Sequence, residues 1–179
     1  MSFKLKIVFI LIVSLFYKEI SVAQTKTIWL VRHAEKDLSD PQDINPSLSA
    51  EGRKRANDLL VYLRKNKPAV IYSTEYKRSR QTVAGFGREI KLYQPKALKN
   101  LAGQVLQSSA HRSVLIVGHS NTVLETIEAL GGKPPVKALT DEDYDYIFKL
   151  TIKGGVVRTE TYQYGEPHRN KNAEKMMMQ

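Results

Sequence analysis

The chain has 179 residues, no cysteine and a formal net charge of +10. Without cysteine, disulfide bonds and metal sites with thiolate ligands are excluded. The basic residues are scattered rather than interleaved with aromatic residues, so no nucleic-acid partner is expected and the charge favours an anionic substrate instead.

The first 23 residues are typical of a secretory signal peptide. Lys4 and Lys6 form a basic start, residues 7–16 form a short apolar core, and Ala23 ends a small-residue cleavage site. Lys18 keeps the apolar stretch below the roughly 20 residues that a membrane-spanning helix needs. We therefore expect a periplasmic or secreted protein without a stable membrane anchor after cleavage, and an uncleaved anchor is the alternative. Removing 23 of the 179 residues leaves 156, enough for one domain.

Alternating apolar and amphipathic segments predict an α/β fold, a single three-layer α/β/α domain over residues 24–168 with a mainly parallel central sheet. Short, continuous apolar runs are typical of parallel strands buried on both faces, and they occur at residues 27–31, 69–72 and 114–117. Two later segments flank a Gly-Gly turn and predict a β-hairpin: residues 146–152 and 156–162.

Apolar residues at helical spacing predict helices between these strands, at residues 51–65, 77–86 and 98–109. Ser49 is the predicted N-cap of the first helix. A further helix is predicted to begin near Ser120 and to end before Gly131 and the prolines that follow it. Residues 169–179 are predicted to form a disordered tail.

Two histidines follow strongly apolar strands. One apolar run leads into Arg32 and His33, and another leads through Gly118 into His119. In an open α/β sheet, chemistry collects at the carboxyl ends of the strands, so both imidazoles are predicted to lie at one sheet edge. The remaining histidines, His111 and His168, follow no such run and are interpreted as solvated.

Four segments, in order, resemble the motifs of the histidine phosphatase superfamily, also called phosphoglycerate-mutase-like. They are Leu30–Glu35, Leu48–Gly52, Tyr72–Thr82 and Val117–Thr122. A single Arg-His pair is a weak signal, whereas four ordered motifs on the expected elements are a strong one. The length of the chain resembles the small phosphatase branch, which includes phosphohistidine phosphatases.

The resemblance implies a phosphohistidine intermediate on His33, with phosphate held by Arg32, Arg78 and His119. Physical chemistry agrees, because a neutral imidazole is a nucleophile, and planar guanidinium groups bind phosphate oxygens in pairs. A protonated His119 would add positive charge. No metal or cofactor is expected, since these groups already neutralise the phosphate.

Other polar residues receive weaker assignments. Ser120 and Asn121 complete the predicted substrate-binding set, where a helix N-terminus would add N–H donors. Arg80 competes with Arg78 for the central arginine position, and the motif favours Arg78. The loop at residues 36–47 is predicted to line the substrate mouth, with Ser39 or Asn45 as possible contacts.

The proton donor is not assigned by the sequence. Many superfamily members carry an acidic residue after the second motif or directly after the second histidine, and this chain has neither. Glu35, Glu89, Asp143 and Asp145 are candidates, although Glu35 fits a structural ion pair better. Because general-acid help contributes about 10²–10⁴-fold, its absence predicts a preference for good leaving groups such as aryl phosphates.

The leading hypothesis is a phosphatase that acts on phosphomonoesters or related phosphoryl groups, on a small phosphorylated substrate or a phosphoprotein. A phosphomutase of the same superfamily is the first alternative. A phosphate-binding or protein-interaction module that has lost turnover is the second. The third is a basic domain that binds anions or nucleic acid.

Overall fold

Strands and helices alternate through most of the chain, and a β-hairpin follows them. The strands are β1 (Lys26–Arg32), β2 (Val70–Ser73), β3 (Ile90–Leu92), β4 (Ser113–Gly118), β5 (Tyr146–Lys153) and β6 (Val156–Gln163). The α-helices are α1 (Ala50–Tyr62), α2 (Lys77–Val83), α3 (Leu98–Gln107) and α4 (Val123–Ala129). Short 3-10 helices extend α1 and α2, at Leu63–Lys65 and Ala84–Phe86.

The computed structural model describes residues 25–108 and 112–167. The predicted signal peptide, the predicted tail, His111 and His168 lie outside these ranges, and the domain boundaries stay a prediction. Within the described ranges, no helix is both long and apolar enough to cross a membrane.

One six-stranded sheet has the order β3-β2-β4-β1-β5-β6. β1 and β4 pair in parallel, as do β2 with β4 and β2 with β3. β5 is antiparallel to β1, and β6 to β5, through a turn in which Gly154 and Gly155 have positive φ angles of 58° and 82°. The predicted α/β fold with a mainly parallel sheet is confirmed, and so is the hairpin.

Side chains that alternate along the central strands build two cores. Ile28 and Leu30 of β1 pack in one core with residues of α3 and α4. Trp29 and Val31 pack in the other core with residues of α1 and α2. A continuous apolar run therefore contributes side chains to the cores on both faces of the sheet, which gives the predicted three-layer arrangement.

Local details confirm one predicted cap and correct two element predictions. Ser49 caps α1, because its Oγ accepts the Gly52 N–H at 3.1 Å. β3 was not predicted, since it has only three residues and lies at an edge of the sheet with two of them exposed. α4 begins at Val123 rather than near Ser120, because the residues after β4 first form a turn in which the His119 N–H donates to Thr122 Oγ1 at 2.9 Å.

Candidate active site

The carboxyl ends of β1 and β4 bring the two predicted histidines together. Arg32 lies opposite Gly118 in the parallel register, and the His33 N–H donates to the Gly118 carbonyl at 3.0 Å. The next residues on both strands are the two histidines, whose ring centroids are 5.3 Å apart. Both imidazoles therefore lie at one edge of the sheet.

His33 is buried and its two ring nitrogens have different partners. Nδ1 lies 2.8 Å from the Ala34 carbonyl, which can only accept, so Nδ1 carries the proton and donates. Nε2 accepts a hydrogen bond from Arg78 Nε at 3.1 Å. Burial is the largest cause that lowers the pKa of His33 to about 3, and the nearby charges of Arg78, His119 and Arg32 lower it further. At neutral pH the ring is neutral, with the lone pair on Nε2.

The segment that carries His33 is held from behind by the start of α1. The Ser49 N–H donates to the Glu35 carbonyl at 2.9 Å, and a Cβ on Gly52 would lie only 2.0 Å from that same oxygen. Arg55 Nε donates to Glu35 Oε1 at 2.7 Å in a largely buried ion pair. The Leu48–Gly52 motif therefore supports the segment that carries His33 through close backbone contact.

Arg32 is buried at the base of the site, with one edge of its guanidinium occupied. Nη1 donates to the Thr140 carbonyl at 2.7 Å, Nη2 donates to the Tyr144 hydroxyl at 3.3 Å, and the guanidinium carbon lies 4.1 Å from the Tyr144 ring centroid. Nε of Arg32 is buried and has no hydrogen-bond partner within the described structure. An unpaired buried donor is costly, so an ordered water molecule or a bound acceptor would stabilise this N–H.

Arg78, and not Arg80, contacts His33 and lines the cavity with both histidines. Its guanidinium carbon lies 4.3 Å from the Tyr76 ring centroid while its Nε donates to His33, as described above. Arg80 is exposed and does not line the cavity. The two Nη groups of Arg78 are not needed for the bond to His33, and they can turn toward an anion beside that ring.

His119 is less deeply buried than His33. Its Nε2 lies 3.0 Å from Thr74 Oγ1, which itself donates to Ser79 Oγ, so His119 is the donor in this pair. Burial, followed by the charges of Arg78 and Arg32, lowers the pKa of His119 to about 4. In the protein without ligand the ring is therefore neutral at neutral pH, and the predicted protonated form of His119 would require a bound anion beside it.

The predicted residues surround a cavity of about 330 Å³. It is lined by Arg32, His33, Lys36, Tyr76, Arg78, Pro95, His119, Ser120, Asn121, Thr122 and Asp141. Sequence reasoning did not single out Lys36, Tyr76, Pro95, Thr122 or Asp141. Three of them, Lys36, Tyr76 and Thr122, lie inside or directly beside the motifs, which was the available signal.

The structure gives the mouth loop at residues 36–47 a smaller part in the cavity than expected. Of that loop, only Lys36 lines the cavity. Asn45 instead accepts the Lys77 N–H at 3.0 Å through its side-chain oxygen, at the start of α2. Ser39 is exposed, and its N–H donates to Asp37 in a local turn.

The four carboxyl candidates for proton transfer lie elsewhere. Glu35 pairs with Arg55, Asp145 is fully buried and accepts from Gln163, and Asp143 accepts the Thr140 N–H. Glu89 is exposed and does not line the cavity. Within the ranges that the structure describes, no group of His, Asp and Glu has the arrangement of a metal site.

Comparison with known proteins supports the predicted family resemblance and shows the fold. Residues 28–102 match the family model of the histidine phosphatase superfamily (branch 1), which covers Arg32, His33 and Arg78. A search of curated protein sequences gave no significant match.

Solved structures resemble the chain over most of its length. A candidate phosphohistidine phosphatase SixA from Nakamurella multipartitia is 21% identical with a TM-score of 0.60, over 83% of this chain and 100% of its own. The protein histidine phosphatase SixA complexed with tungstate is 17% identical with a TM-score of 0.61, over 76% and 96% of the two chains. A phosphoserine phosphatase from Entamoeba histolytica in complex with 3-phosphoglyceric acid is 14% identical with a TM-score of 0.58, over 80% and 98%.

At these identities the solved structures establish a shared fold, while the family model covers the segment that carries Arg32 and His33 and the helix that carries Arg78. The predicted resemblance to the histidine phosphatase superfamily is confirmed.

Proposed function

We propose that this protein is a periplasmic or secreted phosphatase that transfers a phosphoryl group to His33 and then to water, without a metal ion. The observation that carries the proposal is the orientation of the His33 ring. Nδ1–H is fixed on the Ala34 carbonyl, and the Nε2 lone pair meets Arg78 at 3.1 Å. This is the tautomer that a nucleophilic imidazole needs, and its lone pair already faces a phosphate-binding group.

The phosphate would be held by groups whose donors are available at the same edge. Arg32 offers its unpartnered Nε, and Arg78 offers its two Nη groups. Phosphoryl transfer depends mainly on positioning and on stabilising charge on the equatorial oxygens, and two guanidinium groups in a partly dry site supply both. His119 joins them once the phosphate dianion favours its protonated form.

The reaction has two balanced steps. In the first, the bond between phosphorus and the leaving oxygen breaks as the bond between phosphorus and His33 Nε2 forms. In the second, a water oxygen attacks phosphorus and gives up a proton that balances the one taken up by the leaving oxygen, the Nε2–phosphorus bond breaks, and inorganic phosphate leaves. His33 regains its lone pair and its bond from Arg78, so the cycle closes without another reactant.

The substrate class follows from the size and charge of the cavity. About 330 Å³ accepts a phosphoryl group with a small part of its leaving group, while the rest extends into solvent. Small phosphorylated molecules and phosphoproteins both fit that description. The neighbours named for phosphohistidine and phosphoserine, and the one that holds tungstate, support the same range.

The test combines turnover with trapping of the intermediate. The secreted form of the protein is incubated with p-nitrophenyl [³²P]phosphate, quenched within milliseconds and examined for acid-labile, alkali-stable label. We expect hydrolysis and a labelled wild type, with neither in His33→Ala. His111→Ala is the control that should behave as wild type, because the sequence predicts a solvated ring there.

Three outcomes would overturn the proposal. Label that passes to an added sugar phosphate faster than to water would indicate a phosphomutase. Tight tungstate binding without any turnover would indicate a phosphate-binding module. Turnover by His33→Ala at the wild-type rate would show that the nucleophile is another residue.

A further inference from the structure

Asp141 lines the cavity, whereas none of the four carboxyl residues that the sequence suggested as proton donors does. Among the described residues that line the cavity, it supplies the only carboxyl group. Its Oδ1 lies 3.6 Å from Arg32 Nη2, although its side chain is 98% exposed. A carboxyl group therefore stands at the solvent side of the site, next to one of the groups assigned to phosphate.

The backbone around Asp141 is anchored on both sides, so its position is defined in spite of its exposure. Arg32 Nη1 binds the Thr140 carbonyl at 2.7 Å, directly before Asp141. Arg32 Nη2 binds the Tyr144 hydroxyl three residues later. In addition, Asp143 accepts the Thr140 N–H at 2.6 Å, which closes a turn across Asp141.

The direction of phosphoryl transfer makes this position chemically important. An in-line displacement puts the leaving oxygen opposite the attacking nitrogen. His33 is buried and the Asp141 side chain is 98% exposed, so a leaving oxygen that departs away from Nε2 moves toward the open side of the site. That is the side where Asp141 stands, and also the side from which water enters.

We propose that Asp141 is the proton donor of the first step and the proton acceptor of the second. This inference rests on the phosphatase function proposed above. In the first step, the Asp141 carboxyl gives its proton to the leaving oxygen as the phosphorus–oxygen bond breaks, and becomes a carboxylate. In the second step, the attacking water gives a proton to that carboxylate as its oxygen bonds to phosphorus and the Nε2–phosphorus bond breaks. The carboxyl is restored.

Charge in the occupied site favours this use of Asp141. In the empty site, the Arg32 guanidinium faces the carboxylate. A phosphate dianion on Arg32 and Arg78 cancels that attraction, so the Asp141 carboxyl group is released toward the leaving oxygen. The expected preference for good leaving groups is therefore replaced by the expectation that alkyl phosphates are also hydrolysed.

The experiment compares two leaving groups in matched variants. p-Nitrophenyl phosphate needs little protonation of its leaving oxygen, and β-glycerophosphate needs much. For Asp141→Asn we expect kcat/KM to fall about 10²–10⁴-fold with β-glycerophosphate and less than about tenfold with p-nitrophenyl phosphate. Asp141→Glu should recover part of the loss. Glu142→Gln removes an exposed carboxylate from the next position, outside the cavity, and should match wild type with both substrates.

The outcomes separate this inference from the function on which it rests. Equal losses with both substrates would assign Asp141 to the support of Arg32 and overturn its role in proton transfer. No loss with β-glycerophosphate would overturn it as well. In either case, label on His33 from the aryl phosphate would leave the phosphatase proposal standing. Absence of label and of aryl phosphate turnover in wild type would overturn both.

Discussion

The two histidines of the site are held in different ways, although they follow neighbouring strands. His33 is buried, and its backbone N–H donates a hydrogen bond to β4. Its ring is held at both nitrogens, because Nδ1 donates to the Ala34 carbonyl and Nε2 accepts from Arg78. His119 is only partly buried, and among the described residues its ring has one hydrogen bond, to Thr74. The first ring is fixed before any substrate arrives, whereas the second ring can respond to one.

This difference agrees with the role assigned to each ring. A nucleophile gains from a fixed tautomer and a short, directed approach, because orientation removes part of the barrier in advance. A group that stabilises charge gains from a pKa that changes when the anion binds. Substitutions that disturb the segment behind His33 should therefore lower the free energy of unfolding or the turnover rate at every pH. Substitutions at His119 should instead alter how anion binding depends on pH.

The largest effect is expected from breaking the buried ion pair behind the nucleophile. Arg55→Ala leaves Glu35 without its partner and removes the bonds to the carbonyls of Tyr164 and Glu166, at 3.2 and 3.0 Å. Removal of one partner of a buried pair costs about 3–5 kcal/mol. Urea denaturation should show this loss in the free energy of unfolding.

The neighbouring Lys54 provides the control for that measurement. Its ion pair with Glu166 is exposed, so Lys54→Ala should change the free energy of unfolding little. Similar losses in both variants would mean that the Glu35–Arg55 pair has no special part in holding the His33 segment.

A slightly smaller effect is expected in the chemical step when the arginine that faces His33 is removed. Arg78→Ala takes away the donor on Nε2 and the Nη groups that can meet phosphate. Loss of one such group costs about 3–4 kcal/mol of transition-state stabilisation, or about 10²–10³-fold in kcat. Arg80→Ala is the matched control, since Arg80 is exposed on the same helix. A larger loss in Arg80→Ala would reverse the assignment.

Close backbone contact behind His33 should produce a moderate effect. Gly52→Ala introduces a Cβ at 2.0 Å from the Glu35 carbonyl, so the two segments must separate. We expect about 1–3 kcal/mol of lost stability, as for other overpacked sites, together with lower turnover. Gly103→Ala is the control, because a Cβ there meets nothing within 4 Å. Equal stability of Gly52→Ala and wild type would contradict a tight contact.

The sequence predicted the central strands and the motif residues much better than the residues at the opening of the cavity. Continuous apolar runs identified β1, β2 and β4, and the motifs identified Arg32, His33, Arg78 and His119, which line one cavity. These features depend on strand order and local sequence, which leave a periodic signal.

The residues at the opening of the cavity have no such periodic pattern in the sequence. Asp141 belongs to an irregular turn before β5, more than 100 residues from Arg32, and only the fold brings the two together. Nothing in its neighbourhood distinguishes it from Glu142 or Asp143 as a residue type. The three-residue strand β3 and the later start of α4 were missed for a related reason, because a few hydrogen bonds decide where short elements begin and end.

The smallest effect should appear at His119, as a pH dependence of anion binding. Its pKa is lowered to about 4 in the free protein, so the ring is neutral above that pH, and a bound dianion raises its pKa again. Binding then takes up a proton, and affinity rises as the pH falls from 8 to 5, by at most about tenfold per pH unit. Sulfate is a suitable probe, because it stays a dianion throughout this range. Calorimetry in buffers of different ionisation enthalpy should measure the proton uptake, and His119→Asn should abolish it.

The same lowered pKa predicts the opposite trend for the protein without an anion. The unfolded chain binds a proton at His119 near its ordinary pKa of about 6.5, before the folded protein does, so stability falls as the pH drops from there toward 4. Sulfate should offset this acid destabilisation in wild type and much less in His119→Asn, as measured by the shift in Tm between pH 7 and pH 5. If sulfate binds equally well at both pH values while His119 is intact, the ring does not take up a proton, and the two histidines would be equally fixed.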